Sequence, residues 1–262
     1  MVVPKLVVLV KFTPDLTSDR RFAADGTLDR AGVQGRLSEL DEYAAEQALR
    51  VQEGGGGWEL TYLSMGPAGA AEALRKALSM GGDAAVHVSD EGLHGSDAFA
   101  TSLVLAAAVE RIGFDLVVAG MASTDAGMGV VPALLAERLG VPAVTYAGRL
   151  SVTGDEVEIL RDSDLSSETV SARLPALVSV TDRTGEARYP SFKGIMAAKK
   201  KPVQTWSLAD LGVDASLVGL GGARSTVLSA VRRPARTAGQ MVKDDGDGGS
   251  ALADFLVAQR FI

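Results

Sequence analysis

Two stretches of this 262-residue chain carry residue types that could do chemistry. The first is Gly120-Met121-Ala122-Ser123-Thr124-Asp125-Ala126-Gly127-Met128-Gly129-Val130-Val131, a run of small residues between an apolar strand and a helical pattern. Small side chains let a phosphate approach backbone N–H groups, and the amino end of the following helix favours the negative charge. The same glycines would serve a tight strand-to-helix connection equally well, and spacing leaves both readings open. Neither a dinucleotide fingerprint nor a Walker loop is present, since no G-x-G-x-x-G opens a helix here and no Gly-Lys-Ser/Thr follows. Leu9, Val10 and Lys11, at the end of the first strand, would form the opposite wall. The second stretch is Arg188 to Pro202, where the large apolar Phe192 stands in an exposed-looking loop before a short helix and the lysines Lys199 to Lys201. A core does not require that arrangement, but a protein-docking surface does. Cations at a helix carboxyl end account for the lysines and leave Phe192 unexplained.

No catalytic constellation accompanies these stretches. The chain has no cysteine, which excludes disulfides, thiolate metal sites and a cysteine nucleophile. His87 and His94 have no metal-ligand spacing, and no G-x-S-x-G elbow or placed acid dyad occurs. Asp162 and Asp164 lie two apart in a strand-like segment and read first as solvated edge charges. A net charge of -7 argues against nucleic-acid binding. No apolar stretch approaches the roughly 20 residues of a membrane span, and no leader pattern opens the chain, so a cytoplasmic protein without membrane insertion is expected.

The elements that would position these stretches alternate. Leu6–Val10 reads as a strand buried on both faces. A turn-rich stretch from Thr13 to Gly35 precedes a helix after Ser38, which with Asp41 resembles a capping box. Gly54 to Gly57 ends that helix. Strands at 58–64, 84–88 and 116–119 then alternate with helices at 68–80, 97–112 and 130–139. This is the grammar of βαβ units, and it predicts an α/β, Rossmann-like three-layer fold with a mostly parallel sheet. Ligands of such sheets bind where strand order switches, here between the first and fourth strands. After Pro142 the chain turns β-rich, with strands at 144–152, 156–161, 168–174 and 176–180 that elaborate the same sheet. Residues 1–201 are expected to form the core, including a loop at 184–201. Residues 202–262 are expected to form a C-terminal extension with a flexible Gly219–Gly222, a polar linker at Asp244–Gly249 and an amphipathic helix at 251–262.

Several segments in fixed order carry a family resemblance over nearly the whole chain. They are Ser64-Met65-Gly66-Pro67, Ala77-Leu78-Ser79-Met80-Gly81, Glu168-Thr169, Leu174-Pro175-Ala176-Leu177-Val178, Arg188-Tyr189, Gly194-Ile195-Met196-Ala197-Ala198-Lys199-Lys200-Lys201, Asp210-Leu211-Gly212-Val213 and Arg236-Thr237-Ala238-Gly239. Together they resemble the beta subunit of electron transfer flavoproteins, most like actinobacterial members. The resemblance implies an electron carrier and not an enzyme, in a heterodimer whose alpha subunit holds most of the FAD while the beta subunit buries an AMP. It implies electrons arriving from acyl-CoA dehydrogenases, as in fatty acid β-oxidation, and leaving to a membrane quinone oxidoreductase. It places AMP-lining positions at Leu9, at Ser38, Glu39, Leu40 and Asp41, at Met65 and along Gly120 to Val131. Phe192 falls at the dehydrogenase anchor, with Ile195 and Met196 beside it on the partner-binding surface. Asp162 falls where the family has an acid facing an alpha-subunit arginine near the flavin. The C-terminal arm is implied to pack on the partner subunit.

Three departures from the pattern weaken the expected FAD contacts: Asp164-Leu165-Ser166-Ser167 replaces an acid- and glycine-rich stretch, Leu16 and Leu40 replace aromatics, and Met121-Ala122-Ser123 replaces a more polar loop. The alternatives are a bifurcating member with a second FAD in place of AMP, a stand-alone adenine-nucleotide-binding regulator and, last, a nucleotide-dependent ligase or hydrolase.

Overall fold

The computed structural model describes residues 3–262 except Leu16, Asp19, Ala31, Arg232, Thr237, Ala238 and Gln240. The expectations for Leu16 and for Thr237-Ala238 therefore lie outside the described residues.

The chain forms β1 (Lys5–Leu9), β2 (Phe12–Pro14), β3 (Gly35–Leu37), α1 (Glu39–Glu53), β4 (Glu59–Met65), α2 (Ala70–Met80), β5 (Ala84–Val88), α3 (Ala98–Ile112), β6 (Leu116–Gly120) and α4 (Val131–Leu139). There follow β7 (Ala143–Ala147), β8 (Arg149–Thr153), β9 (Glu156–Asp162), β10 (Ser167–Arg173), β11 (Ala176–Val180), α5 (Phe192–Ala198), β12 (Val203–Trp206), α6 (Leu208–Leu211), α7 (Gly219–Gly222) and α8 (Gly248–Ala258). Seven strands build one sheet in the order β12-β5-β4-β1-β6-β11-β7. Every pairing in it is parallel.

β1 shows why the strands read as continuous apolar runs. Leu6, Val8 and Val10 enter the layer that holds α1 and α2, whereas Val7 and Leu9 enter the opposite layer with α3 and α4. Both faces are covered, so polar alternation has no place. Strand order reverses at β1 and β6, as the alternation predicts.

Four expectations need correcting. The β-rich region does not all join the main sheet: β8, β9 and β10 form a separate antiparallel sheet, while β7 and β11 stay in the main one. The expected 144–152 strand breaks at Gly148, whose N–H turns to Leu160 O (2.8 Å). Asp164 does not share a strand face with Asp162, because β9 ends at Asp162. The stretch Gly219–Gly222, expected only to be flexible, forms a helical turn.

The compact unit that contains the sheet continues to Leu228, because β12 is hydrogen-bonded along β5. Ser229–Ile262 forms a second unit. Its helix α8 starts at Gly248, earlier than the pattern indicates, after Asp244 Oδ1 accepts the N–H groups of Gly246 and Gly248 (2.9 Å each).

Candidate functional site

At the carboxyl ends of β1, β4 and β6, three chain segments are sewn together through buried polar groups. Lys11 N–H donates to Asp41 Oδ2 (2.8 Å), and Ser38 N–H donates to Lys11 O (2.9 Å). Asp41 sits so close under β6 that a Cβ on Gly120 would stand 2.6 Å from its Oδ1, so this position needs glycine. Burial pushes the Asp41 carboxyl up to about 7, against the pull of the Lys11 N–H and charge and of the Gly120 N–H. The capping box read at Ser38 does not form, because the Ser38 side chain caps no α1 N–H. Its Oγ instead accepts the Thr124 N–H (3.4 Å), and Asp41 serves Lys11. Both residues thus work between elements.

The loop after β6 is locked from within. The Asp125 carboxylate, only 2 % exposed, takes Lys11 Nζ on one oxygen (2.9 Å) and an Arg30 guanidinium nitrogen on the other (2.6 Å). Burial opposes its ionisation, but the Lys11 charge and hydrogen bonds, with Arg30 behind them, outweigh that and hold the carboxyl well below the usual range. Thr124 Oγ1 meets the buried Thr13 Oγ1 at 3.0 Å. The loop's acid is therefore neutralised and turned inward, leaving small residues outermost together with Met128 and Val130. Ala126 and Gly127 are exposed, and a Cβ at Gly127 would have no atom within 4 Å.

α4 begins immediately after the loop. Its N-cap position, Val130, offers no side-chain acceptor, so no side chain caps its first N–H groups. Open approach, free donors and a neutralised acid fit a phosphate-bearing ligand. The Gly127 N–H is already given to Ser123 O (2.9 Å), so the residues of this chain that would line such a ligand are the backbone from Met128 to Val131, with Leu9 and Met65 at the neighbouring strand ends.

Beyond β6, β7 and β11 lies a cavity of about 370 Å³ lined by Met121, Tyr146, Arg161, Asp162, Thr181 and Arg183 among others. Asp162 accepts from Ser167 Oγ and stands 3.5 Å from an Arg183 guanidinium nitrogen. It is thus a cavity acid and not a solvated edge charge.

Phe192, Ile195 and Met196 lie apart from all of this. In a parallel sheet each helix returns to the amino ends of the strands, and α5 sits at that return end of α2. A Cβ on Gly194 would collide with Ser79 O, so the two backbones touch there. The two helices cap each other: an Arg75 guanidinium nitrogen donates to Ala198 O (2.6 Å) and Lys201 O (2.8 Å), while Lys201 Nζ donates to Leu78 O (3.1 Å) and Gly81 O (3.2 Å). Lys201 therefore does not serve its own helix end: Arg75 takes the α5 carbonyls and Lys201 caps α2. Upstream, Arg188 grips Glu46 Oε2 (2.7 Å) and both carboxylate oxygens of Glu53. On this scaffold Phe192 stands 80 % exposed and Tyr189 93 % exposed.

Arg30 and Tyr146 are site residues that sequence reading did not single out. Arg30 lies in a turn-rich stretch 95 residues from the carboxylate it binds. Among the described residues, no cluster of acids and histidines could hold a metal, and no helix is long and apolar enough to cross a membrane.

Comparison with known proteins agrees with this architecture. A family model for the electron transfer flavoprotein domain matches residues 25–211. The electron transfer flavoprotein subunit beta of Mycobacterium tuberculosis is 46% identical over 98% of this chain and 99% of its own length. The corresponding Mycobacterium leprae subunit is 47% identical over the same shares. Subunit CarD of the caffeyl-CoA reductase-Etf complex of Acetobacterium woodii is 32% identical over 91% of each chain. With identity at this level running end to end, the chain belongs to the electron transfer flavoprotein beta-subunit family.

Proposed function

We propose that this chain pairs with an alpha subunit to make an electron carrier, that it holds an AMP at the loop before α4, and that it presents Phe192 to acyl-CoA dehydrogenases. The observation that carries the reading is the neutralised, small-residue loop running into an uncapped helix amino end at the strand-order switch. FAD, held mostly by the alpha subunit, supplies the redox chemistry, accepting electrons from the dehydrogenase and releasing them to a membrane quinone oxidoreductase.

The residues of this chain bind and orient. The backbone from Met128 to Val131 receives the AMP phosphate, and Lys11 and Arg30 keep Asp125 from repelling it. Asp162 offers a carboxylate to an alpha-subunit arginine across the cavity. The exposed apolar residues of α8, Leu252 and Phe255, give the C-terminal arm a surface for the alpha subunit.

Co-expression with the alpha subunit, denaturation of the purified heterodimer and identification of the released nucleotides test this reading. One FAD and one AMP per heterodimer are expected. Two FAD would point instead to the bifurcating type, for which the likeness to CarD is the specific support. A heterodimer without flavin absorbance would overturn the carrier assignment.

A further inference from the structure

Tyr146 has a backbone that its residue type resists. Its φ is +62°, and among the described residues only one other non-glycine, Arg260, has positive φ. An L-residue with a bulky side chain is strained there, and such strain persists only where surrounding structure enforces it. The enforcement is visible. Tyr146 N–H donates to Oγ of the buried Ser179 (3.0 Å). The register of β7 against β11 slips at the same point, with Val178 opposite Val144 but Val180 opposite Ala147. This bulge gives the inward place to Ala147 and turns Tyr146 out, leaving it 44 % exposed. Bulges commonly re-aim one side chain beside a functional site.

The ring is aimed at a definite place. The Tyr146 hydroxyl lies where a Cβ on Gly129 would be only 2.9 Å away, so glycine and tyrosine are fitted to each other. Gly129 itself has φ +68° and stands two residues before α4. The tyrosine also lines the cavity that contains Asp162. One ring is therefore shared between the last turn of the nucleotide loop and the wall of the cavity.

We propose that Tyr146 is a positioning residue. The strained bulge sets its hydroxyl against Gly129, which keeps the uncapped N–H groups of α4 aimed at the ligand phosphate, and its ring ties that loop to the Asp162 cavity. A tyrosine with only a packing role would bury its ring in the sheet without the bulge. The inference rests on the nucleotide reading above and adds to it a residue outside the loop.

The test compares the wild-type heterodimer with Tyr146→Asn and Tyr146→Phe. Asparagine tolerates positive φ and removes the ring, while phenylalanine keeps the ring and the strain. AMP affinity is measured by calorimetry after nucleotide removal, alongside melting temperature and the visible flavin spectrum. Tyr146→Asn should weaken AMP binding about 10-fold and shift the flavin spectrum with no fall in melting temperature, while Tyr146→Phe, which loses only the hydroxyl that meets Gly129, should fall between that variant and wild type. Wild-type affinity and spectrum in Tyr146→Asn would overturn the proposal alone. A loss of binding shared by both variants that tracks a fall in melting temperature would make the tyrosine structural and overturn it too. A wild-type heterodimer that neither carries nor binds AMP would overturn the nucleotide reading and the inference with it.

Discussion

The two ends of the parallel sheet solve the problem of holding a recognition surface in opposite ways. At the carboxyl ends of the strands, charged side chains point inward, Asp125 to Lys11 and Arg30, and the outward surface is backbone and small residues, with Met128 and Val130 exposed among them. At the amino ends, charge also holds the chain in place, Arg188 to Glu46 and Glu53, but the outward surface is a set of large apolar side chains. Backbone donors suit an anion and apolar plugs suit a protein partner. In both places ion pairs set the geometry and something else makes the contact. The comparison therefore predicts that removing an ion pair and removing a contact group have different signatures.

The ion pair at the amino end should give the largest effect. Arg188→Ala leaves Glu46, whose side chain is 6 % exposed, with Arg50 alone. At present burial of Glu46 is outweighed by Arg188 and Arg50, which keep its carboxyl ionised. Because Arg50 stays paired with Glu46, the loss should cost about 3 kcal/mol, the low end for breaking a buried ion pair. Urea unfolding should show this as a lowered midpoint, with dehydrogenase coupling lost as well. An unmoved midpoint would mean that the loop is not held by charge. Phe192→Ala is the contact-group counterpart. It should weaken dehydrogenase binding by about 2–4 kcal/mol while leaving unfolding and flavin content unchanged. Steady-state turnover with reduced dehydrogenase reads the effect, and unchanged turnover would remove the anchor role.

At the other end, the two acids should separate by pH. The Asp41 carboxyl titrates near 7 in the folded chain and near 3.8 unfolded. Between those values the folded state holds a proton that the unfolded state has lost, so this group's contribution to stability falls as pH rises through the window. Asp125 runs the other way: its folded carboxyl is held low, so its contribution is present above the unfolded value and fades only in acid. Asp41→Asn should remove about 2–3 kcal/mol of pH-dependent stability between pH 5 and 7. Unfolding free energies measured at pH 5, 6 and 7 for both chains test this. A slope unchanged by Asp41→Asn would show that another group titrates there.

Much of this was legible in the sequence, and the parts that were not share a cause. The alternation of apolar runs and helical patterns gives the parallel sheet and its switch, because burial on both faces leaves a direct mark on composition. The loop from Gly120 to Val131 is visible through its glycines, and Phe192 through its lack of a core role. Arg30 and Tyr146 are not visible. Arg30 reaches Asp125 from an irregular excursion that carries no periodicity. Tyr146 sits in a strand where alternation would bury it, and only the bulge against β11 turns it outward. Ser38 with Asp41 has the spacing of a local cap, but both partners are taken by distant chain. Local spacing reveals local bonds, while bonds between elements depend on the assembled sheet.

Lys201 gives the smallest effect and the sharpest separation of holding from contact. Its ammonium sits on Leu78 O and Gly81 O at the carboxyl end of α2, where a cation is favoured. Burial lowers its pKa, and Asp83 only partly offsets that, so the charge is already held at some cost. Methionine keeps the stem packed and removes the two hydrogen bonds, which should cost about 1 kcal/mol of stability. Because Arg75 still caps α5, Phe192 should stay in place and dehydrogenase binding should not change. A fall in dehydrogenase affinity at constant stability would instead make the lysine a contact group, and the division between ion-held scaffold and apolar contact at this end of the sheet would have to be redrawn.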